Sequence, residues 1–387
     1  MIRCSKCQYI NPTKCSPIKQ ICFVHSKCNR KKPKSKIISV PEVNKFIVEC
    51  LRKLNVKDDK ACILAKSLVK ADYQGILSHG LNRLEHYIID IKNKNCNPNA
   101  DPKIISESAS AAAVCGNNGL GAVIGVFCIN IAIEKACKTG IAMVVAIGSN
   151  HFGVNSFYTE HAVSQGCIGM AFTNTSPLMV PTGAKKACFG TNPMSIAAPA
   201  GRCDRVVIDF ATTSVSLGKI EMYRRRNQKI PIGWALDKHG KPTTDPAVAV
   251  KARRLSPLGG TASHKGTGLA IMVEILSGLL ANSTYGPNVR VWGQKPFKPA
   301  NLGHGFIVIN PRRFISGFEK RLGDLLEHVR KLEPADPKRP MLVPGDMERA
   351  RMKKVDEQGG IEYTNSHLKM IQRLVQDLGV KPPKFKS

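Results

Sequence analysis

The apolar and polar positions of the chain first fall into a regular pattern at Ser39. Ser39-x-x-Glu42 has the spacing of a helix capping box. The apolar residues that follow recur at helical intervals: Val43, Phe46, Ile47, Cys50, Leu51 and Leu54. A second helix is predicted to start at the Asp58-Asp59 pair, and a third covers residues 84–91. This part of the chain is therefore predicted to form a helical lobe.

The centre of the chain alternates between helical and strand patterns. A long apolar helix is predicted over residues 119–136, followed by a strand over 141–147 that runs into the segment GSNHFG, where it can present His151. The turn-rich segment 233–246 is expected to be a surface connection. Further strands are predicted over 168–173, 195–198, 206–210 and 305–309, and further helices over 266–280, 318–332 and 367–378.

Composition narrows the class of protein. The chain has 387 residues, enough for two or three lobes, and its 43% apolar and 22% charged residues are close to the globular average. A generally disordered chain is thereby excluded. Lys and Glu interrupt even the long apolar run near residues 123–136, so no membrane-spanning helix of roughly 20 residues is expected.

The charge is strongly basic and uneven. The formal net charge is +30, and residues 1–38 contain ten Lys or Arg and no Asp or Glu. We interpret the excess as a solvated basic surface, with nucleic-acid binding as the alternative. The leader is interpreted as a disordered extension, with a mitochondrial transit segment or a zinc site on its five cysteines as alternatives. All 14 cysteines lie at or before Cys203, and those on apolar faces favour a reducing compartment.

Two short segments carry residues suited to carbonyl chemistry. Hydride transfer to a carbonyl requires a rigidly held cofactor, an acid for the new alkoxide and a cation for a substrate carboxylate. SHGLNR (78–83) places His79 and Arg83 four residues apart at the predicted start of a helix. Arg83 can form a two-pronged pair with a carboxylate, and either His79 or His151 can exchange the proton. Taken alone, each histidine is more often a hydrogen-bonded structural residue.

The glycine pattern does not predict a standard Rossmann domain. Gly116-x-x-Gly119-x-Gly121 has the wrong spacing and no clear strand before it. Lys265, at the Gly-rich start of a predicted helix, combines a positive charge with free backbone N–H groups and so suits a pyrophosphate. The turn Pro344-Gly345-Asp346 is ambiguous by itself, and a plain loop is its default interpretation.

Together these segments resemble the malate/L-lactate dehydrogenase family of the non-Rossmann type. The resemblance runs from about residue 39 to residue 380. It rests on these motifs: SHGLNR (78–83), GSNHFG (148–153), FGTNP (189–193), DFATTSVSLGKI (209–220), IPIGWALDKHGKPTTDP (230–246), PLGG and HKGTGLA within 257–270, and VPGD (343–346).

The resemblance implies an α+β fold in which a non-Rossmann cofactor domain with a largely antiparallel sheet lies beside a helical domain formed by both chain ends. The implied divisions are a basic leader (1–38), a helical part of the substrate domain (39–115), a nicotinamide cofactor domain (116–310) and a C-terminal helical part (311–387). It also implies interconversion of a small 2-hydroxy acid and 2-oxo acid with NAD, or alternatively NADP, in a homodimer with active sites near the interface. A cytoplasmic location is expected, with the mitochondrion as the alternative.

The resemblance also assigns residues. His151 or His79 exchanges the proton, and Arg83 holds the substrate carboxylate beside Ser78 and Tyr87. The implied cofactor contacts are Thr175, Ser176, Asp209, Phe210, Ala211, Thr212, Thr213, Ser214, Val215, Ser216, Lys219, His264, Lys265, Pro344, Gly345 and Asp346. Two departures stand near the cofactor, since Ser263 replaces a usual Gly and Thr267 an often-found Tyr. A non-catalytic dinucleotide-binding or nucleic-acid-associated protein is the competing hypothesis, against which the intact His79, Arg83 and His151 argue.

Overall fold

The structure is a computed structural model that describes residues 35–201, 203–295 and 298–386. Within these ranges the α-helices are α1 (Val40–Arg52), α2 (Asp58–Tyr73), α3 (Leu84–Lys92), α4 (Gly121–Thr139), α5 (Ser156–Ser164), α6 (Leu217–Arg225), α7 (Pro246–Ala252), α8 (His264–Glu274), α9 (Phe318–Arg330), α10 (Asp346–Gln358) and α11 (Asn365–Leu378). The strands are β1 (Ser35–Ile38), β2 (Lys103–Glu107), β3 (Ala111–Cys115), β4 (Ile141–Ser149), β5 (Ile168–Thr173), β6 (Met194–Pro199), β7 (Arg205–Phe210), β8 (Ala235–Leu236), β9 (Pro242–Thr243), β10 (Leu302–Ile309) and β11 (Ile361–Thr364).

Seven strands form the main sheet, in the order β2-β3-β4-β10-β5-β6-β7. Neighbouring strands run antiparallel except β3 and β4, which run parallel. The apolar helix α4 packs on this sheet and buries Ile124, Cys128 and Ala132 against Val144 and Phe306. The prediction of a largely antiparallel, non-Rossmann domain is confirmed.

The two ends of the described chain share one helical core. α1, α2 and α3 pack with residues of α10, α11 and β11, and β1 pairs antiparallel with β11. Ser39 caps α1 by accepting a hydrogen bond from the backbone N–H of Glu42, as the sequence predicted. The helical domain formed by both chain ends is therefore confirmed, although its first strand begins four residues before Ser39.

Two predicted domain boundaries differ from the structure. The division at residues 115 and 116 assigned β2 and β3 to the helical lobe, but both are strands of the main sheet. α9 packs by Leu326 against Ala200 and Val343 near the β6–β7 end of the sheet, so residues 311–387 do not form a single helical part. The connection 233–246 contains the small β8–β9 hairpin. The predictions for residues 1–34, including the zinc site and the targeting segment, lie outside the described residues.

Two features of the described residues bear on the predicted class of protein. No helix among them has both the length and the apolar character to cross a membrane. Nor do they contain a group of three or more His, Cys, Asp or Glu side chains arranged to hold a metal ion. Cys50 and Cys128 are buried free thiols, as expected, and Cys62 is partly buried.

Candidate active site

The turn after α2 that carries Ser78 and His79 is held by a buried acid. Asp72 Oδ2 accepts hydrogen bonds from the backbone N–H of Leu81 (2.8 Å) and from the hydroxyl of Tyr363 (2.6 Å). Gly80 permits this approach, because a Cβ there would overlap the Asp72 carboxyl. Burial raises the pKa of Asp72 to about 7. The position of His79 thus depends on both chain ends, since Tyr363 lies on β11.

Arg83 lies in a 3₁₀ turn directly before α3. Its Nε donates to the backbone oxygen of Ser78 (2.6 Å), which fixes the side chain while none of the described residues bonds its two terminal nitrogens. Its charge helps to lower the pKa of both His79 and His151. Burial lowers the pKa of Arg83 itself, but from so high a value that it remains a cation. A two-pronged carboxylate site is the chemistry this arrangement supports.

His151 follows β4, and its Nδ1 lies against two polar groups. The Tyr87 hydroxyl lies 2.6 Å from Nδ1, and the backbone nitrogen of Gly153 lies 3.3 Å from the same atom. No described residue bonds Nε2, so a ring that keeps one proton on Nδ1 can exchange its other proton there. Burial, followed by the charges of His79 and Arg83, lowers the pKa of His151 well below its ordinary value.

His79 is close to the same place. Its ring lies 5.9 Å from that of His151, nearly parallel to it, and its Nδ1 is 2.9 Å from the Ser78 hydroxyl. Burial, and then the charge of Arg83, lower its pKa to about 4. The structure thus brings together all five residues predicted to act on or bind the substrate.

One ring in this cluster was missed by sequence reasoning. Trp292 stacks on His151 with ring centroids 4.1 Å apart, and its indole N–H donates to Asp90 Oδ2 (2.8 Å). The same oxygen accepts from Arg290 (2.7 Å) in a buried ion pair. Trp292 lies outside every helix and strand, so no local pattern marked it. Its rarity was the only available signal, because the chain has just two tryptophans.

The loop carrying His151 is supported from below by β10. His304 is fully buried, and its Nε2 and Nδ1 lie 2.6 Å from the Ser149 hydroxyl and 2.8 Å from the Thr173 hydroxyl. Phe152 stacks on the His304 ring at 4.2 Å. Because Ser149 and Phe152 flank His151, this buried histidine fixes both sides of the loop. Its role was also not predicted.

The predicted cofactor residues around Thr175 form a continuous surface beside the ring cluster. The Thr175 hydroxyl accepts from the backbone N–H of Thr191 (2.9 Å), and the backbone oxygen of Thr191 accepts from both the N–H and the hydroxyl of Thr212. Asp209 accepts from the backbone N–H of Ser156 (2.7 Å) at the start of α5. Residues 209–216 run from the end of β7 to the N-cap of α6, so this whole predicted segment lies together.

The start of α8 brings His264 and Lys265 to the same surface. Leu258 donates its backbone N–H to Thr212 and packs against Gly266. Both departures from the family pattern contact one residue, since the Thr182 hydroxyl bonds the hydroxyls of Ser263 and Thr267, each at 3.1 Å. These hydroxyls therefore fasten the start of α8 to the loop after β5.

Lys219 and the turn before α10 lie farther out. Lys219 is exposed and holds its ammonium 4.9 Å from the ring centroid of Trp234. The Pro344 backbone oxygen accepts from the N–H of Val207 on β7, beside the predicted cofactor segment. The Asp346 carboxylate is buried and pairs with Arg330 and Arg349, which use its oxygens. Its contribution is to shape the turn.

The α8 start fits the phosphates of a dinucleotide. No side chain among the described residues caps its first turn, and His264 and Lys265 are both exposed there. Gly259 and Gly260 have positive φ, and an added Cβ on Gly260 would meet open space, so the backbone is accessible. Free N–H groups at a helix start together with a lysine bind anionic phosphate. Lys265, His264 and residues 209–216 are therefore the groups that would hold the cofactor.

Comparison with known proteins agrees with this geometry. The family model described as malate/L-lactate dehydrogenase matches residues 38–372. The L-sulfolactate dehydrogenase of Methanocaldococcus jannaschii is 38% identical over 89% of this chain and 98% of its own, and the malate dehydrogenase of Pyrococcus horikoshii is 38% identical over 77% and 82%. The solved structure of malate dehydrogenase from Entamoeba histolytica superposes with a TM-score of 0.86 at 31% identity, covering 91% of this chain and all of that one. The chain therefore belongs to the malate/L-lactate dehydrogenase family and is an NAD(P)-dependent oxidoreductase that interconverts a 2-hydroxy acid and a 2-oxo acid.

Proposed function

We propose that this enzyme acts on a 2-oxo acid carrying a second acidic group, with His151 as the proton donor and Arg83 as the carboxylate ligand. The observation that carries the choice of His151 is the 2.6 Å contact between its Nδ1 and the Tyr87 hydroxyl, which occupies Nδ1 and leaves Nε2 to exchange the proton. His79 has a weaker claim, because the hydroxyl on its Nδ1 belongs to the neighbouring Ser78 and fixes the ring less firmly.

Arg83 orients the substrate. Its terminal nitrogens pair with the carboxylate next to the carbonyl, which brings the C2 oxygen toward the two histidines. When bound, the reduced nicotinamide supplies the hydride that adds to C2. His151 Nε2–H then donates its proton to the developing alkoxide, and the neutral ring takes that proton back in the oxidation direction.

Tyr87 serves both protonation states of His151 without moving its heavy atoms. In both states Nδ1–H donates to the Tyr87 oxygen, and the phenol proton is directed to the backbone oxygen of His151, which lies 3.3 Å away. The imidazolium also carries a proton on Nε2, and the neutral ring that has given this proton up keeps a lone pair on Nε2 that accepts it again. Burial raises the pKa of Tyr87 beyond its ordinary value, so the phenol stays protonated throughout.

His86 supports the choice of a substrate with a second acidic group. It follows Arg83 by three residues on α3, and its Nδ1 is buried without a partner among the described residues. A neutral ring therefore keeps its proton on Nε2, where the N–H remains free to bind a second anion. The relatives named for malate and sulfolactate act on acids of this kind.

The test is consumption of NADH or NADPH with oxaloacetate, sulfopyruvate, pyruvate and a cyclic imino acid. We expect turnover with oxaloacetate or sulfopyruvate to exceed turnover with pyruvate by at least tenfold. Faster reduction of pyruvate or of the imino acid would contradict the second acidic group.

The role of Arg83 has its own test. Arg83→Gln should raise the KM for the oxo acid by about 10- to 100-fold, as expected for loss of a charge-assisted pair, while NADH binding measured by fluorescence is kept. The matched control is Arg52→Gln, because Arg52 is exposed on α1 and pairs with Asp58. Loss of NADH binding in Arg83→Gln, with substrate affinity kept, would contradict the assignment.

We also propose that two copies associate through α8 and the π-helical turn that follows it. Ile271, Ile275, Leu279 and Leu280 are all exposed along this segment, at 42 to 55%. A stripe of this kind is typical of a surface that another protein covers. Since the same helix begins at His264 and Lys265, a dimer here would lie beside the cofactor residues. Ile275→Glu should convert a dimer to a monomer in sedimentation velocity, and an unchanged sedimentation coefficient would contradict the proposal.

A further inference from the structure

The position of the Trp292 side chain is fixed by residues outside its own loop. It lies in the loop after a short 3₁₀ turn (Gly286–Asn288), outside every helix and strand. Its indole is nevertheless enclosed by rings, stacked on His151 at 4.1 Å with an interplanar angle of 18° and edge-on to Tyr87 at 5.4 Å. Contacts with distant residues must therefore hold it.

The first of these contacts is with α3. Asp90 Oδ2 accepts from the Trp292 indole N–H (2.8 Å) and from Arg290 (2.7 Å), while its Oδ1 accepts from Asn95 (3.2 Å). The Asp90 and Arg290 side chains are only 5% and 4% exposed. A buried ion pair gains little stability after desolvation, so its value here is geometric. Asp90 follows Tyr87 by three residues on α3. One face of this helix therefore positions both Tyr87 and Trp292 beside His151.

The second contact is with the segment after β5. The Ser176 hydroxyl donates to the backbone oxygen of Arg290 (2.7 Å) and accepts from the backbone N–H of Trp292 (3.0 Å). Both functions of this hydroxyl are thereby used within the protein. Ser176 thus links the cofactor surface at Thr175 to the ring that covers His151.

We propose that Trp292, seated by Asp90 and Ser176, is a positioning residue that sets the plane of His151 and stabilises its protonated form. The inference rests on the proposed role of His151. The face of an indole is the negative end of its quadrupole, and it attracts a cation stacked on it. Imidazolium is the form of His151 that donates the proton, so the stack favours the acid when it is needed.

The stacked indole and the cationic groups around His151 have opposite effects on its pKa. The titratable groups that face it are His79 and Arg83 from the turn before α3, His86 and Tyr87 on α3, and His304 on β10. Burial and the cationic neighbours lower the pKa of His151. Removing the indole should lower it by a further half to one unit, about the size of one cation–π contact.

A spectroscopic test reports the contact without reference to turnover. Trp234→Phe leaves Trp292 as the only tryptophan. We expect its emission to fall as His151 protonates when the pH is lowered below 6.5, because an imidazolium quenches a stacked indole more strongly than a neutral imidazole does. Adding His151→Gln should abolish the titration, and adding His86→Gln should leave it. A titration that survives His151→Gln and disappears with His86→Gln would overturn the proposal.

Kinetics test the positioning role. Trp292→Leu should lower the kcat for oxo-acid reduction about 10- to 100-fold, change the KM for the cofactor less than twofold, and move the pH profile of reduction to lower pH. Trp292→Phe, which keeps a ring and loses the bond to Asp90, and Ser176→Ala should give smaller changes in the same direction. An unchanged kcat and pH profile in Trp292→Leu would overturn the proposal. The activity of His151→Gln separates the two hypotheses. Full activity of this variant contradicts the proton-transfer role, while the fluorescence titration of Trp234→Phe tests the stack independently.

Discussion

In the proposed mechanism, the protonation state of His151 determines which direction of the reaction can proceed. Reduction requires the imidazolium, and burial together with His79 and Arg83 holds the pKa of His151 below 6.5. The acid form is therefore lost as pH rises. We expect kcat/KM for oxo-acid reduction to fall about tenfold per pH unit across the neutral range, and kcat/KM for hydroxy-acid oxidation to stay level there.

Variants of His79 and His151 identify which histidine causes the fall of kcat/KM for reduction with rising pH. His79→Gln should reduce the rate and keep the slope, whereas His151→Gln should abolish it. Stopped-flow or steady-state profiles from pH 5 to pH 9 make the comparison. The opposite pattern would assign the proton transfer to His79.

Asp72 gives a second prediction from a single residue. Its folded-state pKa of about 7 lies above the ordinary 3.8, so the folded protein retains a proton that the unfolded chain releases. This contribution to stability is present at acidic pH and is lost as pH rises from about 4 to 7. We expect the free energy of unfolding to fall across this range by at most about 1.4 kcal/mol per unit of pKa difference. We expect the free energy of unfolding in urea to depend more steeply on pH in the wild type than in Asp72→Asn, which removes the titration. The same pH dependence in both proteins would contradict the argument.

At the scale of elements, the sequence correctly predicted the helices and strands that short-range features define. The capped α1, the acidic start of α2 and the aliphatic β4 were found because their caps and periodicity lie in consecutive residues. β2 was missed because all five of its residues are exposed, which leaves no alternation to detect. The α5 pattern was equally unreadable, since it buries Ser156 and Thr159 alongside Tyr158.

The structure explains the glycines at the start of α4. Gly116-x-x-Gly119-x-Gly121 was rejected as a Rossmann fingerprint, but it permits close packing against the loop that carries His151. A Cβ on Gly121 would overlap the backbone oxygens of Asn150 and His151. The pattern is a packing signal for the active site, and only the folded backbone reveals it.

Gly121→Ala should therefore displace His151 and leave the fold largely intact. We expect kcat to fall more than tenfold with an unchanged far-ultraviolet circular dichroism spectrum, because a 1 Å displacement of a catalytic group is costly. The matched control is Gly218→Ala in α6, where nothing lies within 4 Å of an added Cβ. Equal kinetic effects of the two substitutions would contradict the close-packing argument.

At the scale of the whole molecule, the site is assembled from segments that local patterns cannot relate. β10 enters the sheet between β4 and β5 from residues 302–309, and Asp90 meets Arg290 from 200 positions away. The family resemblance supplied the fold, together with His79, Arg83 and His151. It did not supply Trp292 or His304, because each acts through contacts that arise only when the sheet and the helical lobe are packed together.

Glu160 on α5 is one of the residues that hold these two parts together. Its carboxylate accepts from Lys70 Nζ (3.2 Å) and Gln74 at the end of α2, and from Arg205 on β7 (3.0 Å). The side chain is 10% exposed, and burial alone would raise its pKa. The charges of Lys70 and Arg205 outweigh burial and lower the pKa overall. Its contribution to stability is therefore present above the unfolded-state pKa and is lost as pH falls through the folded-state value.

Glu160→Gln leaves two cations facing a neutral amide across the junction between the helical lobe and the sheet. At neutral pH we expect the free energy of unfolding in urea to fall by roughly 1–3 kcal/mol, as for a buried charged hydrogen-bond partner. Glu134→Gln is the control, because its exposed pair with Lys138 on α4 should contribute under about 0.5 kcal/mol. Since His79 and Arg83 belong to the helical lobe and His151 to the sheet, kcat should fall together with stability in Glu160→Gln alone. A difference from wild type that persists undiminished at pH 3 would show that shape at the junction, rather than the charge of Glu160, is what joins the two parts.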